Sequence, residues 1–403
     1  MKINTKTQDI AELVERGVEE VYPDKASLEK KLKSGDKIKL YCGFDPSAKS
    51  LHIGNAILIN KLAQFQKLGH EVIFLVGDFT GMIGDPTDKS SVRKKLSREE
   101  VLANSKDYQK QASSFLDFED KNAAKIKYNS EWNDKLSFKD LIELSSNFTV
   151  QQMLQRDMFQ KRQEDEKPIY LHEFLYPLTQ AYDSVAMDVD LEIGGNDQMF
   201  NMMCGRDLLK TLKDKEKFVL TMKLLADESG KKMGKTEGNV VFLDEKASDI
   251  YGKVMSWPDE VISIAFELCT QVDWQEVQEI QKQLKTKDVN FRDMKMRLAK
   301  EITASIKGEE EAQTAEDYFV KTIQNKEAPD KVEEISLKEG SLNILELLVT
   351  SKLCSSKSEA RRLITQNGLK IDGETVSAVD LEVDLEKPRL IQKGKRHFLK
   401  VKK

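Results

Sequence analysis

The chain has 403 residues, 39% hydrophobic and 33% charged, with a formal net charge of −5, enough length for two or three domains of ordinary globular balance. No apolar run approaches the roughly 20 residues of a membrane span, and Met1-Lys-Ile-Asn-Thr-Lys-Thr7 has no hydrophobic signal core behind it, so a cytoplasmic protein with no membrane partner is expected. Cys42, Cys204, Cys269 and Cys354 are far apart and the four histidines are scattered, which argues against a disulfide framework, structural zinc or a bound transition metal.

Ile10 to Tyr22 and Ala26 to Lys33 read as short amphipathic helices. Lys37 to Tyr41 alternates polar and apolar residues as a strand does, and Gly43, Asp45, Pro46 and Ser47 break the pattern. Ala56 to Leu68 is then apolar at helical spacing and closed by Gly69. Strand, glycine-containing loop and helix is how a nucleotide-binding α/β sheet presents backbone N–H groups to phosphate. His52 and Asn55 stand where that helix begins; an ordinary βα connection has the same pattern.

Glu71 to Gly77 is a nearly continuous apolar run, as in a parallel strand buried on both faces. It leads into the glycine-rich Asp78 to Pro86, which carries Asp85 at the strand end where open α/β sheets bind ligands. Charged helices over Glu99 to Asp117 and a short strand at Lys125 to Tyr128 follow. Leu136 to Gln163 has helical character and reads as an inserted segment. In Leu171 to Asp183, Tyr176, Gln180 and Asp183 fall at i, i+4 and i+7 and share one helical face, either a site wall or a solvated stripe. Pro177 kinks that helix or marks its first turn. Asp190 to Ile193 is a strand, and Gly194-Gly-Asn-Asp-Gln198 leaves its backbone open to close approach.

Phe218 to Leu225 is a further apolar segment. Ser229 to Asn239 holds three lysines and three glycines, a solvated turn or a mobile cationic clamp for phosphate. Ala247 to Lys307 is helical, with breaks at Ser256-Trp-Pro258 and Asp273-Trp274. Gly308 to Gly340 reads as a partly helical connection whose end, Glu333 to Gly340, is linker. The tail holds helices at Asn343 to Val349 and Ser355 to Ile364, a strand and turn at Gly368 to Gly373, and a basic hairpin over Arg389 to Val401. From Ser341 onward 13 basic and 8 acidic residues give +5, so the remainder carries −10. A basic tail on an acidic body points to nucleic acid, although solubility alone also accounts for it.

Taken together, these residues resemble the bacterial tyrosyl-tRNA synthetase family of class I aminoacyl-tRNA synthetases. His52-Ile-Gly-Asn55 is similar to the class's HIGH motif and Lys232-Met-Gly-Lys-Thr236 to its KMSKS loop. Tyr41 to Asp45, Gly84-Asp-Pro86, Tyr176 to Asp183 and Gly194 to Gln198 stand in matching order, and the tail resembles an S4-like RNA-binding module. The resemblance implies an α/β fold: a Rossmann-like parallel-sheet catalytic domain with an inserted helical segment (1–225), the KMSKS-like loop with an α-helical domain (226–335), and a small S4-like α+β domain (341–403).

The resemblance also implies roles. Tyr41 and Asp183 match the pair that binds the substrate phenol; Asp85, Tyr176 and Gln180 match the holders of the α-ammonium; Gln198 matches a residue near the carboxylate. Asp45, Gly195 and Asp197 match positions near the ATP ribose, with Cys42 as a further contact and Gly43 and Gly54 in the ATP-binding set. Ser47 and His52 match positions at the terminal phosphate, and Asn55 stands by the nucleotide. Lys89, Arg93, Lys232 and Lys235, with Thr236 after them, match mobile basic positions that close on pyrophosphate. The implied reaction joins L-tyrosine to tRNA(Tyr) through tyrosyl-adenylate, with ATP as substrate, Mg²⁺ on its phosphates, no metal held by the protein alone, and a homodimer. Two departures are Asn55 for the motif's second histidine and Gly234 and Thr236 for the loop's serines. An amide donates a hydrogen bond but carries no positive charge.

Three other readings fit parts of the chain. Tryptophanyl-tRNA synthetase shares the architecture, but Tyr41 with Asp183 and the S4-like tail argue against it. An inactive RNA-binding relative has no need of His52, Asp85, Lys232 and Lys235. A small-molecule nucleotidyltransferase has no need of Tyr176, Gln180 and Asp183 beside an RNA-binding tail.

Overall fold

A six-stranded sheet organises the larger part of the chain: β1 (Val18–Tyr22), β2 (Lys39–Phe44), β3 (Glu71–Val76), β4 (Lys125–Tyr128), β5 (Leu191–Gly195) and β6 (Phe218–Met222). The computed structural model describes all residues except Met1, 88–94, 227–232, 234–239, 287–288, 325–331 and 395–396. The chain separates into two units, Met1–Glu311 and Ala312–Lys403.

In the first unit the strand order is β1-β6-β5-β2-β3-β4. β1 runs antiparallel at one edge and the other five strands are parallel. The chain builds outward from β2 to β3 and β4, then returns to the other side of β2 with β5 and β6. That reversal opens a crevice at the C-terminal ends of β2 and β5, where doubly wound sheets take their ligands. β3, flanked by β2 and β4, is buried over Val72–Val76, which its unbroken apolar run requires.

One sequence expectation changes here. Ile10 to Tyr22 is not one helix. Helix Thr7–Glu15 stops before Gly17, whose φ of +69° turns the chain into edge strand β1. Val18, Val21 and Tyr22 suit a strand as well as an amphipathic helix, and pairing with β6 decides the matter. Of the two readings open for Pro177, the first-turn one falls away: the proline lies inside helix Leu171–Met187.

Helix Ile53–Lys67 follows β2 and buries Ile53, Ile59, Leu62 and Phe65. Between β4 and β5 the inserted segment forms helices Phe138–Ser145, Val150–Leu154 and Asp157–Glu164. Leu144 packs there with Ala181, Val185, Cys204 and Leu208 of helices Leu171–Met187 and Met199–Lys213. A buried ion pair, Arg162 to Glu173 at 2.5 Å, fastens the segment to the start of the first of these helices. Beyond β6, helices Ala247–Met255, Ile262–Cys269, Trp274–Thr286 and Phe291–Lys307 break where the Trp-Pro and Asp-Trp pairs stand in the sequence.

The second unit is α+β. Its main sheet runs β10 (Glu374–Thr375), β9 (Leu369–Ile371), β12 (Arg389–Lys393), β13 (His397–Lys402), β7 (Glu333–Ser336), with β8 (Ser341–Asn343) paired separately to β11 (Glu382–Asp384). Helices Ile344–Thr350 and Lys357–Thr365 bury Leu347, Leu348, Ala360 and Ile364 with Leu369, Ile391 and Val401 of the sheet. The stretch expected to be linker contributes a strand: β7 lies parallel to β13, with Ile335 opposite Val401. Among the described residues no helix is long and apolar enough to cross a membrane.

Candidate functional site

A cavity of about 190 Å³ opens at the β2/β5 crevice. From β2 and the loop after it come Tyr41, Cys42, Gly43, Asp45 and Ser47; from beyond β3 comes Asp85. Helix Leu171–Met187 contributes Tyr176, Gln180 and Asp183, and the end of β5 contributes Gly195 and Gln198. The helical stripe read from spacing therefore faces the cavity. A neighbouring cavity of about 260 Å³ shares Asp85, Gly195 and Gln198 with the first and adds His52, Gly54, Asn55 and Asp197. All the sequence-derived site residues among the described ones line one or both cavities. Lys89, Arg93, Lys232, Lys235 and Thr236 lie outside the described residues.

Tyr41 and Asp183 are almost fully buried, 1% and 2% exposed. Asp183 Oδ1 accepts from Trp132 Nε1 at 2.7 Å and Asn133 Nδ2 at 3.2 Å, and Oδ2 accepts from Asn129 Nδ2 at 3.2 Å. Burial pushes this carboxyl above the usual range, while the three N–H donors pull the other way by favouring the carboxylate. Burial, then the nearby Glu192 and Asp183, push the Tyr41 phenol up, so it keeps its proton. Its hydroxyl lies 3.0 Å from Ser184 Oγ. Cys42 is likewise buried and its thiol is pushed up, which makes it an inert wall and not a nucleophile.

Next along the cavity, Asp85 Oδ1 accepts from the backbone N–H and hydroxyl of Thr87 at 2.9 and 2.6 Å, and Oδ2 accepts from Gln198 Nε2 at 2.7 Å. Gln180 Nε2 donates to Glu192 Oε1 at 3.1 Å, and Gln180 Oε1 is buried without a partner among the described residues. An unsatisfied buried carbonyl is costly unless a ligand donates to it. Asp45 Oδ1 accepts from Thr80 Oγ1 at 2.7 Å and Oδ2 from the Tyr176 hydroxyl at 2.8 Å. A side chain at Gly77 would place its Cβ 2.0 Å from Asp45 Oδ1, so only glycine admits this approach.

At the helix start, His52 Nδ1 accepts from Asn55 N at 3.3 Å while Asn55 Oδ1 accepts from His52 N at 3.0 Å. This reciprocal cap fixes the imidazole. With Nδ1 accepting, the neutral ring carries its proton on Nε2, which makes it a donor. Asn55 is therefore engaged in holding His52 through its Oδ1. The Ile53 N–H goes to Val241 O at 2.9 Å, so this helix start offers fewer open amides than the strand–loop–helix pattern suggests. The same stretch, with Leu243 N bonded to Leu51 O at 2.8 Å, anchors the chain that follows residue 239 beside His52.

Sequence reasoning missed Asn129, Trp132 and Asn133, as well as Ser184, Glu192 and Lys217. The first three had a signal: they follow β4 at its C-terminal end, on the ligand side of the sheet. Lys217 had none, since a lysine before an apolar strand looks like any solvated residue.

Residues 33–324 match the family model described as tRNA synthetases class I (W and Y), and residues 324–401 match that of the tyrosine–tRNA ligase SYY-like C-terminal domain. Among curated proteins, the tyrosine–tRNA ligase of Thermotoga maritima is 40% identical over 395 residues, covering 98% of this chain and 97% of that protein. That of Moorella thermoacetica is 42% identical over 393 residues, 96% and 94% of the two chains. The fold is also that of a C-terminally truncated mitochondrial tyrosyl-tRNA synthetase from Aspergillus nidulans, with a TM-score of 0.65, 22% identity, and 77% and 93% of the two chains covered. A tyrosyl-tRNA synthetase from Archaeoglobus fulgidus, solved with L-tyrosine, aligns at a TM-score of 0.60 and 20% identity over 77% and 99%.

Proposed function

Because the chain belongs to the class I tRNA synthetases of the tryptophan and tyrosine type, we infer that its reaction is tyrosine–tRNA ligation. L-Tyrosine and ATP give tyrosyl-adenylate and pyrophosphate, and the tyrosyl group then passes to the 3′-terminal adenosine of tRNA(Tyr). In the first step a tyrosine carboxylate oxygen forms a bond to the α-phosphorus. The bond to the bridging oxygen breaks, and its electrons leave with pyrophosphate. In the second, a terminal ribose hydroxyl attacks the carbonyl and AMP leaves. The substrate supplies its own nucleophile, so the protein's part is positioning and charge stabilisation.

One observation carries the residue roles: the buried Tyr41 hydroxyl and Asp183 carboxylate line the same cavity as Asp85 and the unpartnered Gln180 Oε1. Asp183 Oδ2, holding one donor, has capacity for a phenol proton. Asp85 and Gln180 Oε1, with Tyr176 beside them, offer acceptors to the α-ammonium, and Gln198 stands next to Asp85 near the carboxylate. Asp45, Gly195 and Asp197, with Cys42 and Gly43, surround the ribose. Ser47, Gly54, Asn55 and the Nε2–H of His52 face the phosphates. Lys89, Arg93, Lys232, Lys235 and Thr236, outside the described residues, are assigned to pyrophosphate from the motif resemblance alone. Among the described residues no group of His, Cys, Asp and Glu is arranged to hold a metal. Mg²⁺ would arrive on the ATP phosphates, whose oxygens suit it, and neutralise their charge.

The protein works as a cytoplasmic homodimer. Phe138, Ile142, Val150 and Leu171 are 78%, 55%, 61% and 77% exposed on the inserted segment and the helix after it, a concentration of apolar surface that suits a second copy of the chain. Sedimentation should find a dimer, converted to monomer by Leu171→Asp; a monomeric wild type refutes the pairing. ATP–pyrophosphate exchange with tyrosine, tryptophan, phenylalanine and no amino acid tests the reaction. Tyrosine alone should stimulate it, and stimulation by tryptophan instead would overturn the assignment.

A further inference from the structure

Three buried polar side chains back the amino-acid end of the cavity: Ser184 and Lys217, both 0% exposed, and Glu192 at 2%. Lys217 Nζ donates to Ser184 Oγ at 2.8 Å and forms an ion pair with Glu192 Oε2. Ser184 Oγ lies 3.0 Å from the Tyr41 hydroxyl but 3.4 Å from Glu192 Oε2. Glu192 is the partner of Tyr41 across the β2–β5 pairing, and its Oε1 takes the Gln180 amide nitrogen. Helix Met199–Lys213 makes room for the cluster with Gly205. A Cβ there would come 2.6 Å from Lys217 Nζ and 2.8 Å from Ser184 Oγ, although glycine is a poor residue for a helix interior.

We propose that Lys217, Glu192 and Ser184 set the direction of the hydrogen bonds that read the substrate's hydroxyl and ammonium, and so are positioning residues for tyrosine specificity. This rests on the reading of Tyr41 and Asp183 as the phenol-binding pair. An ammonium group only donates. Lys217 occupies Glu192 Oε2, the acceptor that Ser184 at 3.4 Å and Tyr41 would otherwise use, so the Ser184 oxygen, accepting from Lys217, turns its own proton to the nearer oxygen, that of Tyr41. Tyr41, having accepted there, gives its proton to the cavity. At the other end the Asp183 carboxylate only accepts. A phenol between them accepts from Tyr41 and donates to Asp183, and the whole chain of bonds runs one way. Glu192 does the same for Gln180: by taking Nε2 it leaves Oε1 as the acceptor an ammonium needs. Lys217 meanwhile compensates Glu192, so that a second buried carboxylate neither repels Asp183 nor draws the ammonium out of place.

Pyrophosphate exchange with tyrosine, 4-aminophenylalanine and phenylalanine tests this. The aniline nitrogen donates to Asp183 but is a poor acceptor, so it gains little from a donating Tyr41. In Ser184→Ala, and in the double variant Lys217→Met/Glu192→Gln, Tyr41 is no longer held as a donor. The ratio of kcat/KM for tyrosine to that for 4-aminophenylalanine should fall roughly tenfold, the worth of one hydrogen bond, with phenylalanine unchanged in Ser184→Ala; the double variant, which also releases Gln180, should lower all three amino acids alike on top of that fall. Equal losses for all three amino acids would make the cluster a packing element and overturn the proposal. Tyr41→Phe is the control. It should lower the tyrosine-to-phenylalanine ratio; if it does not, the phenol reading fails and the proposal with it. Ser184→Ala changes one buried atom and keeps the test open if the double variant does not fold.

Discussion

The Tyr176 hydroxyl donates to Asp45 Oδ2 at 2.8 Å, joining the helix on the amino-acid side of the cavity to the strand end on the nucleotide side. Asp45 is also held by Thr80, so the Tyr176 hydroxyl shares in fixing its carboxylate. Tyr176→Phe keeps the ring and removes the donor. Hydrogen bonds to charged groups contribute about 1.5–3 kcal/mol, so kcat/KM should fall by at least roughly tenfold for ATP as well as for tyrosine. Steady-state exchange kinetics with each substrate varied would check this. An effect confined to tyrosine would mean that the bond transmits nothing to the nucleotide side.

Asp183 is asked to do two things, and its variants should separate them. Asp183→Ala removes the acceptor for Trp132, Asn129 and Asn133 and leaves three donors in a buried site. Each stranded donor costs about 1–3 kcal/mol, partly relieved by water entering the space. Stability should drop by about 3 kcal/mol while the tyrosine-to-phenylalanine ratio collapses. Urea unfolding alongside exchange kinetics reads both. Lost discrimination with unchanged unfolding would show that the three donors find other partners.

The contrast between these residues explains what the sequence could reveal. Tyr176, Gln180 and Asp183 were legible because helical spacing brings side chains three and four apart onto one face. Asp85 and Gly195 were legible because strand ends in a parallel sheet are marked by glycine after an apolar run. The Lys217–Glu192–Ser184 cluster was not, since its members stand on helix Leu171–Met187, on β5 and just before β6, with no shared local periodicity, and meet only through the β5–β6 pairing and the packing of that helix. Two of the edge strands were hidden for a different reason, although a third, β4, was legible. β1 and β7 are held by one neighbour each, β6 and β13, and that pairing leaves no local periodicity to read. Asn55 looked like a weakened catalytic histidine; its reciprocal cap with His52 gives it a structural task that spacing alone does not reveal.

His70 gives a pH dependence with a defined sign. It is 1% exposed at the turn before β3, its Nε2 is buried without a partner among the described residues, and burial, with Lys37 nearby, lowers its pKa to about 4. The unfolded chain, with the ordinary value near 6.5, binds more protons throughout that interval. Stability is therefore complete above about pH 6.5 and lost as pH falls toward 4, by up to about 3 kcal/mol. His70→Asn retains a side-chain acceptor near Ile38 N but does not titrate there, and its urea midpoint should change less between pH 7 and 4.5 than that of the wild type. Parallel loss in both proteins would assign the acid sensitivity to other groups.

The basic tail should be separable from tyrosine activation, and the structure dictates where to cut. A truncation before Ser341 would follow the charge asymmetry but leave β7 without β13, exposing an unpaired strand edge prone to aggregation. Ending the chain at Gln324 removes β7 with its partner and takes away the whole sheet and both helices that share its core. That shorter protein should retain tyrosine-dependent pyrophosphate exchange within roughly twofold, since all the cavity-lining residues precede the cut. Charging of tRNA(Tyr) should fall far more steeply, because a basic module that neutralises phosphates supplies much of the affinity for nucleic acid. Its loss should also flatten the salt dependence of charging. Equal loss of exchange and charging would make residues 325–403 a support for the catalytic unit instead of an RNA-binding module.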